Sequence, residues 1–203
     1  IAVHGGTGQR IGVIEALRWL RTEEGTDTFL ELAHRIDKET SGCLVICKNA
    51  KVLKLVQEAF KARRVTKIYL ALVHGRWPRG LNEINAPLQK TIINSDEKVV
   101  TVCEEGKPSQ TQFKVLSEFA HATLLEVHPL TGRMHQIRVH CQYAGHPIVG
   151  DPKYTVPGEG NPVRGHRLCL HAASVSFELP DNRELVNVLA PINPAMAASI
   201  KSF

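Results

Sequence analysis

The sequence predicts an α+β fold with a mixed, mainly antiparallel sheet, and three observations lead to it. KIYLALVHG, residues 67–75, alternates along its length as a strand does. Several later apolar runs are separated by short turn-forming stretches, so neighbouring strands pair as antiparallel hairpins. Segments with helical periodicity are few and interspersed among the strands.

Gly5, Gly6 and Gly8 make the opening IAVHGGTGQR a loop, and IGVIEALRWLR after it places Val13, Leu17 and Leu20 on one helical face. The glycines fit neither GxGxxG nor a P-loop, so a flexible loop is favoured over a nucleotide site. GCLVICK at 42–48 reads as a short buried strand. From 51 to 63, Val52, Leu55, Val56, Ala59 and Phe60 recur at helical spacing. In KIYLALVHG, Ile68, Leu70 and Leu72 face one way and Tyr69, Ala71 and Val73 the other. Further strands are predicted at 98–103, 111–117 and 122–128, separated by EEGKPS and FAHA, and at 171–179 and 184–190 around PDNR. MHQIRVHCQYAG reads as a helix ended by Gly145 and Pro147, and PAMAASIKSF as a terminal helix. No repeat, low-complexity tract or Ser/Gly linker divides the 203 residues, so residues 1–203 are expected to form one domain.

Composition narrows the class. Apolar residues at 43% and charged residues at 22% are ordinary globular values, and no apolar run approaches the roughly 18 residues a membrane span needs. Five cysteines without a CxxC pair suggest neither a disulfide framework nor a thiolate zinc site, which fits a reducing cytoplasm. The net charge of +5 favours an anionic partner. Lys61, Arg63, Arg64 and Lys67 concentrate in KARRVTK, and Arg133, Arg138, Arg164 and Arg167 follow later. Such a run is more often a solvated surface than a nucleic-acid face, unless chemistry elsewhere points to nucleic acid. The opening has neither methionine nor the features of a signal peptide, so a further N-terminal segment is expected.

Chemistry is concentrated in three places. In HRIDKETSG, Asp37 follows His34 and Arg35, and taken alone it is as well explained as a turn former closed by Ser41 and Gly42. Tyr69 is either a second-layer core tyrosine or a platform for a flat ligand. LTGRMHQIRVH gathers Arg133, His135, Arg138 and His140; the histidines lie five apart, unlike an HExxH pair, so hydrogen bonding is favoured over zinc ligation. Arginines in that half-apolar segment call for a buried partner, most naturally a carboxylate. No GxSxG elbow, catalytic cysteine signature or convincing acid pair is present. A carboxylate, a tyrosine and arginines remain, a set that can do nucleophilic or acid–base work without metal or cofactor.

Three co-linear segments, HRIDKETSGCLVICK, KIYLALVHG and HPLTGRMHQIRVHCQYAGHPIVGDPKY, resemble the pseudouridine synthase family whose signature is HRLD. The likeness extends over nearly the whole chain, including GKPSQTQFKVL and LHAASVSFELP, and IAVHGG, APLQK and EEGKPSQTQF are similar to a subgroup acting on large-subunit ribosomal RNA. The resemblance implies a pseudouridine synthase fold with peripheral helices and an active-site cleft. It also implies that Asp37 is the catalytic aspartate, Tyr69 the active-site aromatic, Arg138 the basic partner of the aspartate, and Arg35 the residue that fills the gap left by an extracted base. Lys61, Arg63, Arg64, Lys67, Arg133 and His135 would then bind RNA. No cofactor is expected, and the protein would be a cytoplasmic monomer acting on large-subunit ribosomal RNA. Ile36 replaces the usual leucine, a volume-conserving change. The subgroup's S4-like N-terminal RNA-binding module is absent from these residues. Alternatives from the same residues are a noncatalytic RNA-binding or ribosome-assembly protein, a synthase acting on transfer RNA, and a glycosidase using Asp37 as nucleophile.

Overall fold

The structure, a computed structural model, describes residue 3 and residues 11–26, 29–92, 98–155, 167–179 and 183–203. The glycine loop at 5–8, Arg164 and most of the PDNR turn lie outside the described residues. In chain order the elements are α1 (Val13–Glu23), β1 (Glu31–Leu32), β2 (Ser41–Gly42), β3 (Ile46–Cys47), α2 (Ala50–Lys61), β4 (Thr66–His74), β5 (Glu83–Asn85) and β6 (Leu88–Ile92). They continue with β7 (Lys98–Val102), β8 (Gln110–Glu118), β9 (Ala122–Pro129), α3 (Gln136–Tyr143), β10 (Leu170–Glu178), β11 (Leu185–Leu189) and α4 (Pro194–Lys201).

A seven-stranded sheet carries the fold in the order β11-β10-β4-β9-β8-β5, with β2 alongside β10. The β2–β10 pair is parallel and the other pairings in this sheet are antiparallel, which is the mixed α+β arrangement the short connections predict. β4 lies between β9 and β10, and its Ala71, Leu72 and Val73 are fully buried. One core packs Leu72, Val73, Leu125, Val127 and Ile148 with Met196 of α4. A second sits under α2, where Val56 and Ala59 meet Val65, Val175 and Phe177. Complete burial of a side chain such as Val56 contributes about 1.5–3 kcal/mol.

α2 forms where its periodicity predicts. Asn49 caps it, its side-chain oxygen accepting the N–H groups of Lys51 and Val52 at 2.8 and 3.2 Å. Its far end is a Schellman closure: Arg63 N–H donates to Phe60 O and Arg64 N–H to Ala59 O, with Arg63 in the left-handed region at φ 58°.

Two expectations are corrected, and two strands are added. In α1 the buried residue is Ile14, while Leu20 is half exposed, because the helix is held near its start by Ile14 and by Arg18, which donates to Leu30 O and pairs with Glu31 at 2.7 Å. GCLVICK is not one strand but two short ones: β2 joins β10, and β3 pairs with β1 in a separate sheet. Gly42 makes the break, since its φ is +105° and a Cβ there would lie 2.2 Å from Ala172 O, so the chain passes closely and then departs. β5 and β6 carry no readable alternation; β6 buries only Leu88 and pairs with β7 as a separate hairpin.

Candidate active site

Between β1 and β2 the segment 33–40 lines a cleft with Lys67 and Tyr69 of β4 and Leu170 of β10, and local contacts fix its path. His34 Nε2 accepts Val45 N–H at 3.0 Å while the ring stacks on Phe60 at 4.8 Å. Burial favours the neutral ring and pushes the His34 pKa down to about 4. Ser41 Oγ is 2.8 Å from His171 Nδ1 and accepts Asn193 Nδ2–H at 2.7 Å, so the N-cap of α4 is tied to this loop. Asp37 uses its backbone and its side chain differently. Its backbone carbonyl accepts Thr40 N–H at 3.0 Å and forms the turn, while its side chain, 20% exposed, faces a cleft of about 560 Å³.

Tyr69 lies in β4 opposite Ala172 of β10 and Val127 of β9, which places its ring on the cleft at the centre of the sheet. Burial, with the charge of Asp37 adding to it, pushes the Tyr69 pKa up to about 12, so the phenol keeps its proton at neutral pH. Two residues earlier on the same face, Lys67 donates to Thr131 O at 3.4 Å, and burial lowers its pKa.

α3 supplies the third wall. Gln136 is buried and fastens the preceding turn: its carbonyl oxygen accepts from Thr131 Oγ1 and Arg133 N, and its amide donates to Gln110 O and Thr111 Oγ1. Arg138, 5% exposed, reaches two carboxylates. Its Nε and Nη2 donate to Asp151 Oδ2 and Oδ1, both at 2.7 Å, and Nη1 lies 3.4 Å from Asp37 Oδ2. Burial opposes the guanidinium charge, but the bonds and charge of Asp151, helped by Asp37, outweigh it and raise the Arg138 pKa. His140 bonds Thr111, Ser109 and Ala86 and stays in the core, as a hydrogen-bonding histidine.

Of the predicted residues, Asp37, Tyr69, Arg138 and His135 line this cleft together. Arg35, Lys61, Arg63, Lys67 and Arg133 ring it with positive charge, and Arg64 lies outside the lining. Arg133 does not have the buried carboxylate partner expected for it; it is exposed, and its Nε donates to Pro108 O at 3.1 Å. Asp151 and Tyr154, which the sequence did not single out, contact Arg138 and His135 behind the cleft lining. Their signal was a lone acid and an aromatic after Gly150 in the half-apolar run PIVGDPKY.

A family model described as RNA pseudouridylate synthase matches residues 13–143. Over 195 residues the chain is 47% identical to a Yersinia pestis protein named ribosomal large subunit pseudouridine synthase C, covering 95% of this chain and 60% of that protein. It is 46% identical to the Haemophilus influenzae protein of the same name over 204 residues, covering 99% and 62%. The chain thus spans about three fifths of the length of these relatives. Among solved structures, human RNA Pseudouridylate Synthase Domain Containing 1 superposes with a TM-score of 0.74 at 29% identity, covering 91% of this chain and 78% of that one. Domain Containing 4 superposes with a TM-score of 0.80 at 24% identity, covering 99% and 85%, and shows the shared fold.

Proposed function

The chain belongs to the RNA pseudouridylate synthase family, and on that premise we propose that it isomerises uridines of large-subunit ribosomal RNA to pseudouridine, with Asp37 acting at the ribose. One observation carries the reading: Asp37, Tyr69 and Arg138 line a single cleft, with carboxylate and guanidinium 3.4 Å apart.

The reaction breaks the C1'–N1 bond, turns the uracil and rejoins it through C5, which then gives up its proton. Nothing is oxidised and nothing is released. Asp37 either attacks C1' as a nucleophile or takes the 2' proton to give a glycal. In both routes the carboxylate must be ionised, and Arg138 supports that charge. Tyr69 provides a flat wall on which the detached base turns, and base stacking on an aromatic contributes about 1–3 kcal/mol. Because its phenol is protonated, any help it gives at C5 requires its own proton to leave as the C5 proton arrives.

A uridine in folded RNA has to leave its stack to reach Asp37, at a cost of a few kcal/mol. Arg35, exposed on the cleft rim two residues before Asp37, is suited to fill the vacancy. Lys61, Arg63 and Arg133 on the rim and Arg64 beside it would hold phosphates, which makes binding steeply salt-dependent. His135 faces Asp37 from within the cleft. The proposed setting is the cytoplasm, with the protein acting as a monomer; no helix among the described residues is long and apolar enough to cross a membrane.

The test is incubation of the purified protein with large-subunit ribosomal RNA, and separately with transfer RNA, followed by mapping of pseudouridine. Discrete sites in the ribosomal RNA, lost in Asp37→Asn, are the expected result. Modification confined to transfer RNA would move the substrate. Release of free uracil would indicate a hydrolase, and RNA binding without any product would leave a binding protein.

A further inference from the structure

His135 stands where the chain enters α3, in left-handed backbone with φ 54°, and its ring lies between Asp37 and Tyr154. Nε2 is 3.9 Å from Asp37 Oδ1, and Nδ1 is 2.6 Å from the Tyr154 hydroxyl. Tyr154 is 2% exposed, so both the oxygen and the hydrogen of that hydroxyl need partners inside the protein. Val100 N–H donates to the oxygen at 3.1 Å. Among the described residues, the acceptor within reach of the hydroxyl hydrogen is His135 Nδ1. A neutral imidazole that accepts at Nδ1 carries its proton on Nε2, the nitrogen that faces Asp37.

The surroundings keep the ring neutral. Burial pushes the His135 pKa down to about 4; Arg138 and Lys153 act in the same direction, against Asp37 and Asp151. The Tyr154 ring is also held, since the Arg138 guanidinium lies 5.0 Å from its centroid and Asp151 Oδ1 accepts its backbone N–H at 3.1 Å. The chain Val100, Tyr154, His135, Asp37 therefore runs from the β6–β7 hairpin to the carboxylate, each member orienting the next.

We propose that His135 is a positioning residue for Asp37: Tyr154 fixes its ring as the Nε2–H tautomer, and that N–H closes onto Asp37 Oδ1 when substrate fills the cleft, opposite Arg138 on Oδ2. The proposal rests on the reading of Asp37 as the group acting at the ribose. From 3.9 Å, a movement of about 1 Å brings the pair to hydrogen-bond length. With one donor on each oxygen the carboxylate plane is fixed, and the remaining lone pairs face the sugar. A neutral donor suits this task, because a second full positive charge would hold the carboxylate more firmly and blunt it as nucleophile or base. No proton changes hands in this step.

Long-range nitrogen–proton correlation spectra of histidine-labelled protein test the tautomer directly. Nε2–H in the wild type, with Nδ1–H emerging in Tyr154→Phe, is expected; Nδ1–H in the wild type overturns the assignment. Single-turnover rates at saturating RNA test the role. His135→Asn suits left-handed backbone but is too short to reach Asp37, and should slow turnover about 10- to 100-fold with RNA affinity unchanged. His135→Gln, which returns an N–H near the position of Nε2, should recover most of the rate. Weakened RNA binding with an unchanged saturated rate would make His135 an RNA contact and sink the positioning role. An active Asp37→Asn protein would sink the underlying reading, and would do so with the tautomer spectrum intact, so the two failures are told apart.

Discussion

Arg138 is bound to Asp151 more closely than to Asp37: two parallel contacts of 2.7 Å tie it to the first, and one of 3.4 Å leads to the second. Asp151 is 1% exposed and also accepts the backbone N–H groups of Lys153 and Tyr154, so it is a fixed anchor. The planar guanidinium makes two parallel bonds to one carboxylate while its third nitrogen reaches the other, a fork that a single-atom ammonium lacks. Asp37 thus meets a cation whose charge is already largely matched by Asp151.

Breaking the anchored pair should be costly. Asp151→Asn is expected to lower unfolding stability by about 3–5 kcal/mol in urea titrations, the usual result of leaving one partner of a buried pair uncompensated. Arg138→Lys should fold but lose at least about 100-fold in single-turnover rate. A shift below about 1 kcal/mol for Asp151→Asn would show that the pair does not hold α3 to the 151–154 turn.

Tyr69→Phe separates stacking from hydroxyl chemistry. The ring and its burial are retained, so RNA affinity should stay within about twofold, while formation of finished pseudouridine slows at the step that removes the C5 proton. A deuterium isotope effect from 5-deuterated uridine, absent in the wild type and present in the variant, would mark that step. Wild-type rates in Tyr69→Phe would confine the residue to stacking, and Tyr69→Ala would then lose about 1–3 kcal/mol of base contact.

Arg63 occupies a left-handed position at the end of α2 that glycine fills at least cost. Arg63→Gly should therefore raise stability, by up to about 1 kcal/mol, measured as a higher denaturation midpoint. The same change removes a phosphate contact proposed for the cleft rim and should reduce the slope of log affinity against log salt by about 1. Higher stability with an unchanged salt slope would place Arg63 outside the RNA path.

Acid should loosen the fold before the carboxylates titrate. The folded pKa of His34 is about 4, below the ordinary 6.5 of the unfolded chain. In that window the unfolded state binds the extra proton, so stability is complete above about pH 6.5 and falls as pH drops toward 4. The His34 contribution lost is on the order of 3 kcal/mol, and His34→Gln should flatten that part of the stability curve. An equal pH slope in the variant would show that His34 is not the group responsible.

Where one strand or turn decides the outcome, the pattern was readable. KIYLALVHG forms the central strand, the basic run 61–67 closes α2 and enters β4, and HRID with its Ser-Gly ending forms a turn that presents a carboxylate. Local rules failed where burial depends on what arrives from elsewhere. Leu20 has the right spacing for a buried face yet is half exposed, and the apolar run GCLVIC at 42–47 divides between two sheets.

By itself the amino-acid order determined the α+β class, the mainly antiparallel sheet and the residue types available for chemistry, because propensity, periodicity and turn formation act between near neighbours. Only the tertiary structure decided that Arg138 belongs first to Asp151 and that the Tyr154 hydroxyl meets His135 Nδ1. Hydrogen bonds and ion pairs depend on tenths of an ångström between groups carried by different segments, and those separations exist only once the sheet and α3 have packed.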